Sequence, residues 1–96
     1  MAQQYQVGKT ATTIHTNEQG QTQVIYHSTP VVCFTNKVII LNTGGWMTVT
    51  TKTRMNQASA QFNLGYRVMQ RDYNWFVEYD GKVIPFDNNI LELSRN

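Results

Sequence analysis

Residues 51–65, TKTRMNQASAQFNLG, break the rhythm of an otherwise β-like sequence, and their conformation decides the class of the whole domain. The segment has helix formers and no proline. Its apolar residues Met55, Ala58 and Phe62 recur at the i, i+3, i+7 spacing of one helical face. Thr50 or Thr51 stands where an N-cap hydroxyl would accept from a first-turn amide, and Gly65 stands where a left-handed residue would end the helix. The pattern predicts one central α-helix near residues 51–64. A helix of about 13 residues does not persist alone in water, so the Met55/Ala58/Phe62 stripe must pack on a sheet.

Outward from this helix, turn signals arrive about every eight residues. They are Glu18-Gln19-Gly20, Thr29-Pro30, Asn36-Lys37, Asn42 to Gly45, Asp72-Tyr73-Asn74, Asp80-Gly81 and Asp87-Asn88-Asn89. Short runs rich in β-branched and aromatic residues lie between them. The clearest hairpin is NWFVEYDGKVIPF, residues 74–86, in which Asp80-Gly81 supplies the two positive-φ positions of a type I′ turn. Trp75, Val77 and Tyr79 then share one face, and Phe76 and Glu78 the other. Pro85 lacks a backbone donor, which makes its strand an edge or ends it. Further hairpins are expected in VVCFTNKVIIL, residues 31–41, turning at Asn36-Lys37, and from ATTIHT through Gly20 to TQVIYHS. The expected fold is α+β: antiparallel strand meanders of about six to eight short strands, packed with one central helix.

Ninety-six residues make one domain. Residues 1–9 are polar and patternless and are expected to be a flexible N-terminal segment before a single domain over residues 10–96. The longest aliphatic run, Val38-Ile39-Ile40-Leu41, is far short of the ~20 residues of a membrane helix. The first residues lack the apolar core of a signal peptide. A single cysteine, Cys33, excludes an internal disulfide, and its setting in VVCF reads as an inert core thiol. His15, His27 and Cys33 match no zinc spacing, and nothing marks a positioned Ser-His or Cys-His set. His27 alternates with Ile25 as a solvent-facing strand residue would. The expectation is a protein that is not an enzyme and needs no metal or cofactor.

Charge is more informative. Only 15% of residues are charged, so the positions that are charged stand out. No acid lies between Glu18 and Asp72, while Lys37, Lys52, Arg54, Arg67 and Arg71 fall there. Asp72, Glu78, Asp80, Asp87 and Glu92 follow, against Lys82 and Arg95. Either the sheet brings the two halves together and the charges neutralise across strands, or the central cations form a basic face for phosphates or an acidic partner.

Gly44-Gly45, the threonines and the helix N-terminus suggest where an anion would sit. Helix N-terminal amides bind phosphate or carboxylate readily. Lys52 and Arg54 near that end oppose the helix dipole, and a nearby anion would compensate them. The candidate ligand-binding set is therefore Gly44, Gly45, Thr50, Thr51 and Lys52 as a phosphate cradle. Arg54, Arg67 and Arg71 add charge, with Trp46 or Tyr66 available for stacking. The stretch is not a P-loop, since it lacks the Gly-Lys-Ser/Thr ending. Arg54, Gln57 and Gln61 are expected on one exposed helical face. Arg67, Met69 and Arg71 share a face of YRVMQRD, residues 66–72, with Tyr66, Tyr73, Trp75 and Tyr79 nearby. Aromatics interleaved with arginines on a small sheet can stack unpaired bases.

The segment LNTGGWMTVTTKTRMNQASAQFNLGYRV, followed by WFV and GKVIPF, resembles a family of small bacteriophage and prophage proteins. They share a Gly-Gly-Trp-x-Thr-x-Thr-Thr-Lys-x-Arg-Met-Asn-Gln core, here Gly44 to Gln57, and the resemblance extends over about residues 26–91. It implies a viral origin and expression in a bacterial cytoplasm, and carries over no activity and no site. Two functions fit. One is a binding module for a phosphate-bearing ligand, nucleic acid first and a free nucleotide second. The other is a protein-binding antagonist of a bacterial host enzyme or defence complex, using a basic face or an added edge strand. Neither requires a membrane. The oligomeric state stays open, a homodimer included.

Overall fold

The structure is a computed structural model that describes residues 12–45 and 47–95. The expected flexible segment over residues 1–9, and Trp46, lie outside the described residues. Among those described, eight strands and one helix follow in the order β1 (Thr12–Thr16), β2 (Thr22–Tyr26), β3 (Thr29–Phe34), β4 (Val38–Asn42), α1 (Val49–Phe62), β5 (Tyr66–Arg71), β6 (Asn74–Tyr79), β7 (Lys82–Pro85) and β8 (Ile90–Ser94). All strand pairs are antiparallel. The fold is α+β, as the alternation of short β-rich runs around one helical segment predicts.

The strands form two sheets, one ordered β1-β2-β3-β4-β8 and the other β5-β6-β7. The second meander therefore does not stay together. After Pro85 ends β7, Phe86 is pulled inward, buried, with its amide donating to the Trp75 carbonyl at 2.9 Å. The chain then crosses back so that β8 pairs with β4, Leu93 opposite Ile39 and Leu91 opposite Leu41. Apolar alternation in ILELS decides this: Leu93 is buried beside the core residues of β4, while Glu92 stays exposed.

Two-residue turns punctuate the hairpins. Asp80 and Gly81 take φ 53° and 75°, as a type I′ turn requires, and join Tyr79 to its cross-strand partner Lys82. Asp72 and Tyr73 do the same between Arg71 and Asn74. The expected turn at Thr29-Pro30 is displaced: His27 and Ser28 adopt φ 49° and 69°, and Thr29 and Pro30 already belong to β3. His27 is thus an exposed turn residue against the Tyr26 ring rather than a strand residue. A bulge in the β2–β3 pairing takes up Val31, so Val31 and Val32 are both buried.

The helix begins two residues earlier than expected. Thr48, extended at φ −111° and ψ 164°, is the N-cap, and its hydroxyl accepts from the Thr51 amide. Asn63, in the left-handed region, ends it before Gly65 is reached. Met55 and Ala58 are fully buried and Phe62 rests on Phe34 with ring centroids 5.0 Å apart. The predicted stripe therefore does face the core, against β2, β3 and β5. Gln57 departs from the expected solvated face: it is buried and accepts from Arg54.

α1 also seals the outer edge of β5. A strand at a sheet edge presents unpaired N–H and C=O groups, and here one helical row of polar side chains takes them up. Ser59 accepts from the Tyr66 amide at 3.1 Å and donates to the Tyr66 carbonyl at 2.7 Å. Asn56 accepts from the Val68 amide at 2.7 Å and donates to the Val68 carbonyl at 3.0 Å. The Tyr66 phenol is buried and donates to the Met55 carbonyl.

Burial raises the Tyr66 pKa far above the ordinary 10.0. Its native contribution is therefore complete below pH 10.0 and is lost as the pH climbs above that value, where the unfolded chain releases the proton first. Stability should fall by up to about 1.4 kcal/mol per pH unit above about pH 10 from this residue alone. Urea unfolding across that range should show a shallower decline in Tyr66→Phe, which loses about 1 kcal/mol at neutral pH for the missing hydrogen bond. Identical alkaline slopes in the two proteins would contradict this assignment.

Candidate nucleic-acid interface

A groove of about 510 Å³ runs along β5 where α1 leaves it, lined by Lys52 and Asn56 from the helix, residues 67–71 of β5, Phe76 of β6 and Val83 of β7. The cross-strand register explains its composition. Arg67 lies opposite Glu78, Met69 opposite Phe76, and Arg71 opposite Asn74. Glu78 in turn lies opposite Val83, and Phe76 opposite Pro85. Because alternate residues share a face, the outer face of this sheet has an apolar row, Met69–Phe76–Pro85. On β5 that row has an arginine on each side. Tyr66, Val68, Trp75 and Val77 point the other way and are buried in the core.

Three of the predicted cations converge here. Arg67 and Arg71 are exposed and Lys52 is half-buried. No side-chain hydrogen bond or ion pair with another described residue ties any of the three down. Lys52 belongs to the same helical row as Asn56 and Ser59, and it sits one turn before Asn56, where the row runs out along β5. Gln70 is the next residue of β5 after Tyr66 and Val68 in the same alternation, and it too lines the groove. Neutralisation by the C-terminal acids is partial: Glu78 opposes Arg67 in register, but Arg71 faces Asn74.

The other predicted residues that the structure describes are placed elsewhere. Gly44 and Gly45 do not offer their amides to a ligand, because the Asn42 side chain accepts from Gly44 at 2.8 Å and the Thr43 hydroxyl from Gly45 at 3.1 Å. Gly44 is a glycine for packing: at φ +62° an added Cβ would lie 2.6 Å from Thr29 Cγ2. Thr43 also donates to the Asn89 side chain at 2.7 Å, so this loop anchors the start of β8. Thr51 is fully buried, and its amide is occupied by the Thr48 cap. Thr50 is exposed on the first helical turn and does not line the groove. Arg54 turns to the opposite side of α1. There it donates to Thr12 at 3.0 Å and Gln57 at 3.1 Å, and its guanidinium lies 5.7 Å from the centre of the Tyr26 ring. Its charge is held by β1 and β2 rather than by the groove. Tyr66 is core, not a stacking surface.

Sequence reasoning named the wrong aromatics for this face. Tyr66, Trp75 and Tyr79 follow the inward parity, Tyr73 projects from its turn at 94% exposure, and Phe76, across from Met69 on β6, is the ring on the face of the arginines. The signal was available. A two-residue turn at Asp72-Tyr73 puts Asn74, Phe76 and Glu78 on the face of Arg71, Met69 and Arg67.

Burial raises the Cys33 pKa, an effect opposed by a hydrogen bond with Gln23, so the thiol stays protonated at neutral pH. Among the described residues no group of three or more His, Cys, Asp or Glu side chains gathers where a metal ion could be held, and no helix is long and apolar enough to cross a membrane.

A small two-sheet α+β domain with a cationic groove beside its helix defines a class by shape alone. The chain itself matches the family model described as Kyanoviridae Gp96 protein over residues 1–92, and it belongs to that family of bacteriophage proteins. No curated protein and no solved structure matches it.

Proposed function

We propose that this phage protein is a non-enzymatic binding protein whose ligand is the sugar-phosphate backbone of a nucleic acid, held in the groove by Lys52, Arg67 and Arg71. The observation that carries this is the convergence of those three cations, from two separate elements, with no side-chain hydrogen bond or ion pair to another described residue holding them. Cations gathered without partners repel one another and lower stability slightly, and a bound polyanion reverses that cost. The groove replaces the glycine–threonine turn as the anion site, because that turn spends its amides internally.

A host-protein partner docking by strand addition has less to use on this sheet. One edge, β5, is occupied by Asn56 and Ser59, and the other, β7, has Pro85 in an outward-facing position with no amide to donate. The test of nucleic-acid binding is fluorescence anisotropy with a labelled oligonucleotide at increasing salt. Binding at micromolar protein should weaken by about tenfold or more between 50 mM and 200 mM salt, since neutralising phosphates releases counterions. Absence of binding at low salt, or binding indifferent to salt, would refute it.

A further inference from the structure

We infer that the groove takes a single strand, with its phosphates along β5 and its base faces on the apolar Met69–Phe76–Pro85 row; this rests on the phosphate reading above. The cations lie on α1 and β5, with Met69 between the two arginines, and the apolar row runs from Met69 across the sheet to β6 and β7. Arg67 and Arg71 are four residues apart on one strand, about 13 Å, roughly two nucleotide steps of an extended chain. Lys52 stands on the helix side of them, away from the sheet centre. From Met69 the row leads away from the helix to its cross-strand partner Phe76, which also lines the groove together with Val83, 58% exposed. A strand laid with its backbone over the arginines must turn its bases toward Phe76.

Three features favour a single strand over a duplex. Base faces are free to stack on an aromatic ring only when the strand is unpaired. A duplex would bring a second row of phosphates across β6, where Glu78 stands exposed. The groove also has cations on one side only, which fits one phosphate chain rather than two. Stacking is tolerant of sequence because every base has a π-face, so little sequence preference is expected.

The test compares three probes of equal length, about twelve nucleotides, within the range such sites cover: labelled oligothymidine, an abasic strand with the same phosphates, and a blunt duplex. At one low salt concentration, oligothymidine should bind about tenfold or more tighter than either of the others. Phe76→Leu keeps an apolar, half-buried side chain, so it preserves the sheet. It should weaken oligothymidine about fivefold or more while leaving the abasic strand unchanged. Equal binding of abasic strand and oligothymidine overturns the base contact and leaves phosphate binding standing. Tighter binding of the duplex overturns the single-strand assignment alone. Failure of all three probes to bind overturns both this inference and the function it rests on.

Discussion

Replacing Arg67 and Arg71 together by glutamate is expected to abolish oligonucleotide binding, weakening it by about 100-fold or more at low salt. The change removes two of the three groove cations and puts two carboxylates in the path of the phosphates, beside the existing Glu78. Folding should survive, because both side chains are exposed on the outer face of β5 and hold no hydrogen bond with another described residue. Thermal unfolding should confirm that, with a change within about 0.5 kcal/mol for each surface substitution. The control is Lys37→Glu with Lys82→Glu, two exposed cations in the β3–β4 turn and at the start of β7. It alters net charge by the same amount away from the groove. It should weaken binding only several-fold, through the overall field of the molecule. Equal losses from the two pairs would mean that net charge, not the groove, holds the ligand.

The second large effect is on stability. Asn56→Leu is expected to cost about 2–4 kcal/mol, because the Val68 amide and carbonyl each lose their partner and a leucine there shields them from water. Ser59→Val should act in the same way on Tyr66, at a site more deeply buried. Thr53→Ala, on the exposed side of the same helix, should change stability by less than about 0.5 kcal/mol and separates this effect from helix propensity. Urea unfolding measures all three. If Asn56→Leu is as stable as the parent, the helix does not guard the β5 edge and the polar row has no structural role. Loss of the guard also exposes an edge strand, so aggregation of Asn56→Leu near its unfolding midpoint is part of the expected result.

Much of this was legible in local sequence. The Asp80-Gly81 hairpin, the Met55/Ala58/Phe62 stripe and the strand ending at Pro85 follow from rules that act within a few residues, and the structure has all three. What failed required non-local information. Nothing near ILELS says whether β8 rejoins β7 or crosses to β4; the match of Leu91 and Leu93 to Leu41 and Ile39 decides it, and those residues are some fifty positions away. The His27-Ser28 turn was hidden because it lacks the glycine or Asn/Asp that usually marks positive φ, whereas Pro30 beside it advertises a turn it does not make. Asn56 and Ser59 read as ordinary polar helix residues, since their partners are backbone groups that carry no sequence signal. For the site, Arg67, Met69 and Arg71 were correctly placed on one face by parity, and Lys52 joined them through helix docking. Arg54, two residues after Lys52, points some 200° around the helix from it, and so serves Tyr26 and Thr12 instead. The glycine pair suggested an anion cradle because glycine amides are often free, but Asn42 and Thr43 close them.

The most direct measurement of the central claim is the slope of log Kd against log salt for oligothymidine, taken for the parent and for Lys52→Ala, Arg67→Ala and Arg71→Ala separately. Each alanine is expected to reduce the slope by about one phosphate contact, while Arg54→Ala leaves it unchanged. A parent slope that survives all three substitutions, or one that falls with Arg54→Ala instead, would contradict the groove as the place where phosphates are held.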